Sequence, residues 1–165
     1  MPVQCLNENT KSVICDDYTY SIKADLVEGL GDVDVAVYQA AAKPYMKTGS
    51  QLTKSEATTL AAEDGVLNPD LAYWRKFNHL HGWMERLYQA KGGSQEFNCT
   101  TVRIEQNDLK DLKQDLLEGR LTPTSGFFFG NETLHPEDTD SLLDFINRAN
   151  QSIEDGYAVF YASSW

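Results

Sequence analysis

The chain has 165 residues, 41% of them hydrophobic and 11% aromatic, enough for one packed core, short for two domains and unlike a disordered chain. Fourteen Lys and Arg against 25 Asp and Glu give a formal net charge of -11, which opposes non-specific attraction to nucleic acid and to anionic lipid. No stretch approaches the roughly 20 apolar residues of a membrane span, and the opening MPVQCLNENTKS has the pattern of neither a signal nor a transit peptide, so a cytoplasmic protein is expected.

Cys5, Cys15 and Cys99 are odd in number and form no CxxC pair. A disulfide framework and a structural zinc site are therefore not expected, and the thiols are read as reduced. The acids are spread along the chain, which fits solubility better than a decoy of the nucleic-acid backbone.

In chain order, Val13 to Lys23 alternates imperfectly, with Tyr18, Tyr20 and Ile22 on one side of a strand. The run DVDVAVYQAAA from Asp32 to Ala42 fits a strand turning into a helix or a helix throughout, and Lys43-Pro44 disfavours continuation. Thr53-Lys54-Ser55-Glu56 has the form of a capping box and opens a short helix to about Asp64. Leu71 to Gln89, LAYWRKFNHLHGWMERLYQ, is read as one amphipathic helix opened by Asn68-Pro69 and closed by Gly92-Gly93.

Glu96 to Ile104 is short and rich in β-branched and aromatic residues, a strand. Leu109, Leu112 and Leu116 mark a further amphipathic helix, and Phe127-Phe128-Phe129 a buried strand or extended loop. Pro136 opens a helix that buries Leu142, Phe145, Ile146, Ala149 and Ile153, and Tyr157 to Ala162 reads as a final strand. With no repeat or linker, the expectation is a single α+β domain over 1–165, a small antiparallel or mixed sheet packed with four to five helices.

At about 100° per residue, the central helix would turn Tyr73, Phe77, Leu80, Met84, Leu87 and Tyr88 to the core. Trp74, Asn78, His81 and Glu85 would then line one edge of that arc, with Arg75 just beyond. This set suits a planar anion such as a nucleotide. Trp74 can stack on a base, Arg75 can bind phosphate, and Asn78 can match a base edge. Taken singly, each residue also has a packing explanation: tryptophans fill cores, and an arginine pairs with a nearby acid. His81 and Glu85 lack a third ligand, so no metal is expected, and no P-loop, G-x-G-x-x-G or G-x-S-x-G is present.

Three segments together resemble a family of short proteins encoded by tailed bacteriophages: Y-W-R-K-x-N-x-x-H-x-W, P-T-x-S-G-F-F-F-G and a final S-S-W. Here these fall on Tyr73, Trp74, Arg75, Lys76, Asn78, His81 and Trp83, on Pro123 to Gly130, and on Ser163, Ser164 and Trp165. The likeness spans about 71–165; the connection before Leu121 is shorter than in the pattern, and residues 1–70 form a more variable part. The resemblance implies phage origin and a pocket, and brings no reaction with it. In that pocket Arg75, Lys76, Asn78, His81, Thr124, Ser125 and Ser164 would supply polar groups, and Trp74, Trp83, Phe128 and Trp165 the walls.

The leading expectation is a protein of the infected bacterial cell that binds a nucleotide, without a cofactor, and modulates host physiology or defence by sequestering a nucleotide signal. An enzyme acting on a phosphate-bearing substrate is the first alternative, with His81 as acid or base, Arg75 as charge stabiliser and Ser125 as nucleophile. An acidic inhibitor of a host nucleic-acid enzyme is the second. A homo-oligomer formed through C-terminal aromatics, and a host protein, are the partners considered beside the small ligand.

Overall fold

Two strands, buried on both of their faces, form the middle of the structure. β1 (Asp16–Lys23) and β4 (Tyr157–Ser164) pair antiparallel along their whole length, from Asp16 opposite Ser164 to Lys23 opposite Tyr157. The computed structural model describes residues 16–46, 49, 51–122 and 134–164. β2 (Leu67–Arg75) adds antiparallel to β1, and β3 (Thr101–Ile104) adds antiparallel to β4, so the sheet order is β2-β1-β4-β3.

Five α-helices among the described residues complete this α+β fold: α1 (Val37–Ala42), α2 (Lys54–Glu63), α3 (Asn78–Ala90), α4 (Gln106–Leu117) and α5 (Pro136–Glu154). They divide between the two sheet faces. On one face Val159, Tyr161, Val102 and Ile104 pack with Leu80, Met84, Leu109, Leu112, Phe145 and Ile146 of α3, α4 and α5. On the other, Tyr20, Ile22, Phe160 and Leu67 pack with Val37, Tyr38, Ala41 and Ala61 of α1 and α2. None of the described helices is long and apolar enough to cross a membrane.

The sheet's edges are both protected. Val33 bridges Val102, with Asp34 N–H donating to Thr101 O at 3.0 Å and Arg103 N–H to Asp32 O at 2.7 Å, so β3 is covered. β2 carries Pro69, which has no N–H to offer a further strand, and the Arg148 guanidinium donates to Leu71 O.

Several elements follow the sequence reading. α2 starts with the expected capping box, Thr53 N–H to Glu56 at 2.7 Å and Glu56 N–H to Thr53 at 3.2 Å, whereas the run from Asp32 contributes only an isolated bridge at Val33 before α1, neither a strand nor a helix throughout. Residues 13–15 of the first predicted strand, and Phe127 to Phe129, lie outside the described residues.

The long central helix is corrected. Leu67 to Arg75 is strand, Asn68-Pro69 lies within it, and only Asn78 to Ala90 is helical. Tyr73 and Phe77, four apart, satisfied a helical spacing, but pairing of Ala72 to Arg75 with Asp16 to Thr19 decides the backbone. Lys76, at a left-handed φ of 55°, separates the two elements. The predicted strand from Glu96 shortens to Thr101–Ile104 because Phe97 turns inward onto Tyr88 and Tyr161, at ring-centroid distances of 5.0 and 5.9 Å.

Cys99 is disulfide-bonded, not a free thiol; Cys5 and Cys15 lie outside the described residues. Disulfides persist mainly in oxidising compartments, so the thiol-based reason for a cytoplasmic location no longer applies.

After α3 the chain turns back over its own helix. Gly93 N–H donates to Tyr88 O at 2.9 Å, and a Cβ on Gly93 would stand 2.2 Å from the ring of Tyr88, itself fully buried. Gly93→Ala is therefore expected to lower stability by about 1–3 kcal/mol through overpacking, read as a lower urea midpoint with unchanged slope; an unchanged midpoint would show that the turn relaxes freely.

Candidate functional site

The polar side of β1 does not face solvent. Asp17, Thr19 and Ser21 alternate with Tyr18, Tyr20 and Ile22, yet both sets are largely buried because helices cover both faces. Thr19 is satisfied by donating to Ala72 O at 2.9 Å. Asp17 accepts from the Phe77 backbone N–H at 3.0 Å and from the Tyr161 hydroxyl. Trp74 and Ser163 are its cross-strand neighbours, and the Ser163 hydroxyl is buried without a hydrogen-bond partner. Burial pushes the Asp17 carboxyl up to about 7, against the smaller downward pull of the Tyr161 and Phe77 hydrogen bonds.

α3 begins directly above this group. Asn78 and His81 are buried in its first turns, and the His81 ring tilts over Phe97 at 5.3 Å. Desolvation lowers His81 to about 4, so its imidazole is neutral at pH 7. At 3.9 Å, half-exposed Glu85 does not form an ion pair with a neutral ring. His79 is also lowered by burial, partly offset by Asp138.

The sequence-derived residues separate into two groups. Trp74 lies in the core on β2, edge-on to Phe77 and Phe145 at 5.8 and 5.3 Å, with its indole N–H donating to Ser141 at 2.7 Å. Trp83 is buried likewise and donates to Asp115 at 2.9 Å, a contact that holds the Asp115 carboxyl below its ordinary value. With Asn78 and His81, these two belong to the helical face covered by α3 and α5.

Arg75 and Ser164 flank Asp16 in one row across β2, β1 and β4, on the opposite sheet face. Beside that row Tyr18 and Tyr73 pair across the strands at 5.5 Å, and their hydroxyls donate to Asp16 at 3.0 and 2.7 Å. Lys76 stands exposed at the turn between the groups. Thr124, Ser125, Phe128 and Trp165 lie outside the described residues.

Sequence reasoning passed over Asp17, Tyr161 and Asp16, and it placed Tyr73 in the core, whereas that ring is 54% exposed. Only the alternation of DDYTYS marks Asp17 locally, and alternation does not reveal that both faces are covered.

Three open grooves, of about 330, 310 and 240 Å³, are lined by Arg103 and Tyr157, by Asn68 and Asp155, and by Asp34 and Asn98 respectively, and none of their linings includes a residue of the predicted set. Among the described residues no group of three or more His, Cys, Asp or Glu could hold a metal ion. Compared with known protein families, curated proteins and solved structures, the chain shows no match.

Asp17 and His81 act oppositely on stability. Asp17 binds its proton more tightly folded than unfolded, so its contribution is complete below its ordinary value of 3.8 and lost as pH rises through about 7. His81 contributes fully above its ordinary 6.5 and loses this as pH falls through about 4. Between those limits the two slopes offset, and their contribution to wild-type stability should be nearly flat. In Asp17→Asn the slopes of His81 and His79 remain, and stability should rise with pH, His81 alone contributing up to about 1.4 kcal/mol per unit. Urea unfolding at intervals from pH 4.5 to 8 tests this; superimposable wild-type and variant pH profiles would refute the raised Asp17 value.

Proposed function

We propose that the chain binds a small planar anion, a nucleotide in the form considered first, at the end of β2, and holds it without chemical change. The observation that carries this reading is the run Tyr73, Arg75 and Lys76, three exposed side chains leading into the N-terminus of α3. α2, α4 and α5 each have acids in the first turn, Glu56, Asp108, and Glu137 with Asp138, whereas α3 has none. The first turn of α3 carries no acid, Asp17 on β1 taking only the Phe77 N–H, and two cations stand just before it, which favours an anion even in a chain of net charge -11. Tyr73 takes the stacking role first given to Trp74, since its ring is exposed and its hydroxyl is anchored on Asp16.

Of the acid or base role that the enzyme alternative gives His81, a neutral imidazole at pH 7 disfavours the acid, and burial of the ring disfavours contact with a substrate in either role. The setting in an infected bacterial cell follows from the family resemblance alone; sequestration of a nucleotide signal there is the form that binding without turnover would take.

A thermal-shift screen against mono-, di- and cyclic nucleotides is the test. A ligand at about one hundred times its Kd should add roughly 2.7 kcal/mol. Arg75→Ala and Lys76→Ala should each weaken binding by about tenfold, and Tyr73→Ala by a similar factor, while leaving the unliganded Tm close to wild type. Chromatography of the bound nucleotide should return it intact. Recovery of a product would make the protein an enzyme, and no shift with any nucleotide would transfer the case to the acidic protein–protein inhibitor.

A further inference from the structure

α3 starts differently from its neighbours. α2, α4 and α5 each open with a capping box built from residues adjacent in sequence. The N-cap position of α3 is Phe77, whose side chain cannot cap, and its N–H is taken up by Asp17, 60 residues earlier on β1. The turn so held contains Lys76 at φ 55°, a left-handed conformation that a residue with a Cβ adopts only when its surroundings impose it. On the other side, Asp17 is fixed by Tyr161, from a strand buried on both faces.

We propose that Asp17 is a proton-operated latch: its carboxyl replaces the missing local cap of α3, and loss of its proton releases the β2–α3 turn that carries Arg75 and Lys76. Among the described residues, the groups that surround it supply no close counter-charge. Asp16, next along β1, raises the cost of ionisation. From β4 comes the neutral Tyr161, with uncharged Ser163 opposite Asp17. From α3 come His79 and His81, both shifted towards the neutral form, and from α5 the nearest acid, Asp138, acts on His79. Arg75 and Lys76 are exposed at the turn itself.

A carboxylate formed in this place lacks water, and the least costly way to hydrate it is to part the side that yields. That side is the turn. β2 is an edge strand whose register on β1 shifts between Thr19 and Ser21, whereas β4 is held by β1 along its whole length and by β3 from Val159 to Ala162.

The consequence for ligands, weaker anion binding once the turn opens, rests on the reading above; the latch itself does not. Amide hydrogen exchange followed by NMR on the unliganded full chain reads it directly. The opening constant of the Phe77 amide in wild type, divided by that in Asp17→Asn, should rise by up to about tenfold per pH unit from about pH 4 and level off near pH 7. Taking the ratio removes any opposing slope from His81. Tyr161→Phe, which keeps the carboxyl but deletes a hydrogen bond that lowers its pKa, should move the levelling-off point to higher pH. A pH-independent ratio overturns the latch. So does a rise shared equally by the Phe160 and Tyr161 amides, because the whole fold and not the turn would then be opening.

Discussion

The contact between the Asp17 carboxyl and the Phe77 amide joins the two halves of the described structure. Everything after β2 depends on where α3 starts, and α3 has no local signal of its own for starting there. A carboxyl buried on the middle of a sheet is costly unless hydrogen-bonded. Here it receives one bond from the chain that must turn and one from Tyr161 on the strand that must stay. Moving either donor would leave a buried polar group unsatisfied, so the position of α3 relative to the sheet is tightly specified.

That specification is feasible because β1 and β4 are covered on both sides. A half-exposed β1 would hydrate Asp17, Thr19 and Ser21 and remove the constraint. Instead, Thr19 is satisfied by Ala72 and Asp17 by Phe77 and Tyr161, and the apolar alternates Tyr20, Ile22, Phe160 and Ala162 fill the second core under α1 and α2. The polar stripe therefore fixes register: a slip of one residue would place Asp17 among those apolar groups and expose Tyr20 to the partners of Asp17.

The surface chemistry follows from the same arrangement. Because Trp74 and Trp83 are committed to the core through Ser141 and Asp115, the side chains exposed at this corner are those that strand alternation turns outward, Tyr73 and Arg75, together with Lys76 at the turn. A motif that reads as one continuous recognition helix thus divides into an exposed rim and a buried inner set. The inner set, Asn78, His81 and Trp83, holds the helix whose N-terminus the rim borders.

By itself the sequence determined the elements whose signals are local. The Thr53 and Glu56 capping box, the leucine spacing of α4, Pro136 at the head of α5 and the β-rich run that became β4 each depend on residues within a few positions of one another. It also marked Arg75, Asn78 and His81 as unusual, because polar groups of those types among aromatics are conspicuous without a structure. Only the tertiary structure decided that Leu71 to Arg75 is strand, that Trp74 packs while Tyr73 is exposed, and that Asp17 is the buried centre of the corner. The physical reason is common to all three: each depends on pairing with β1 or on cover from a second layer of helices. A partner 57 or 60 residues away in sequence, as Asp16 is to Tyr73 and Asp17 to Phe77, leaves no trace in a local period.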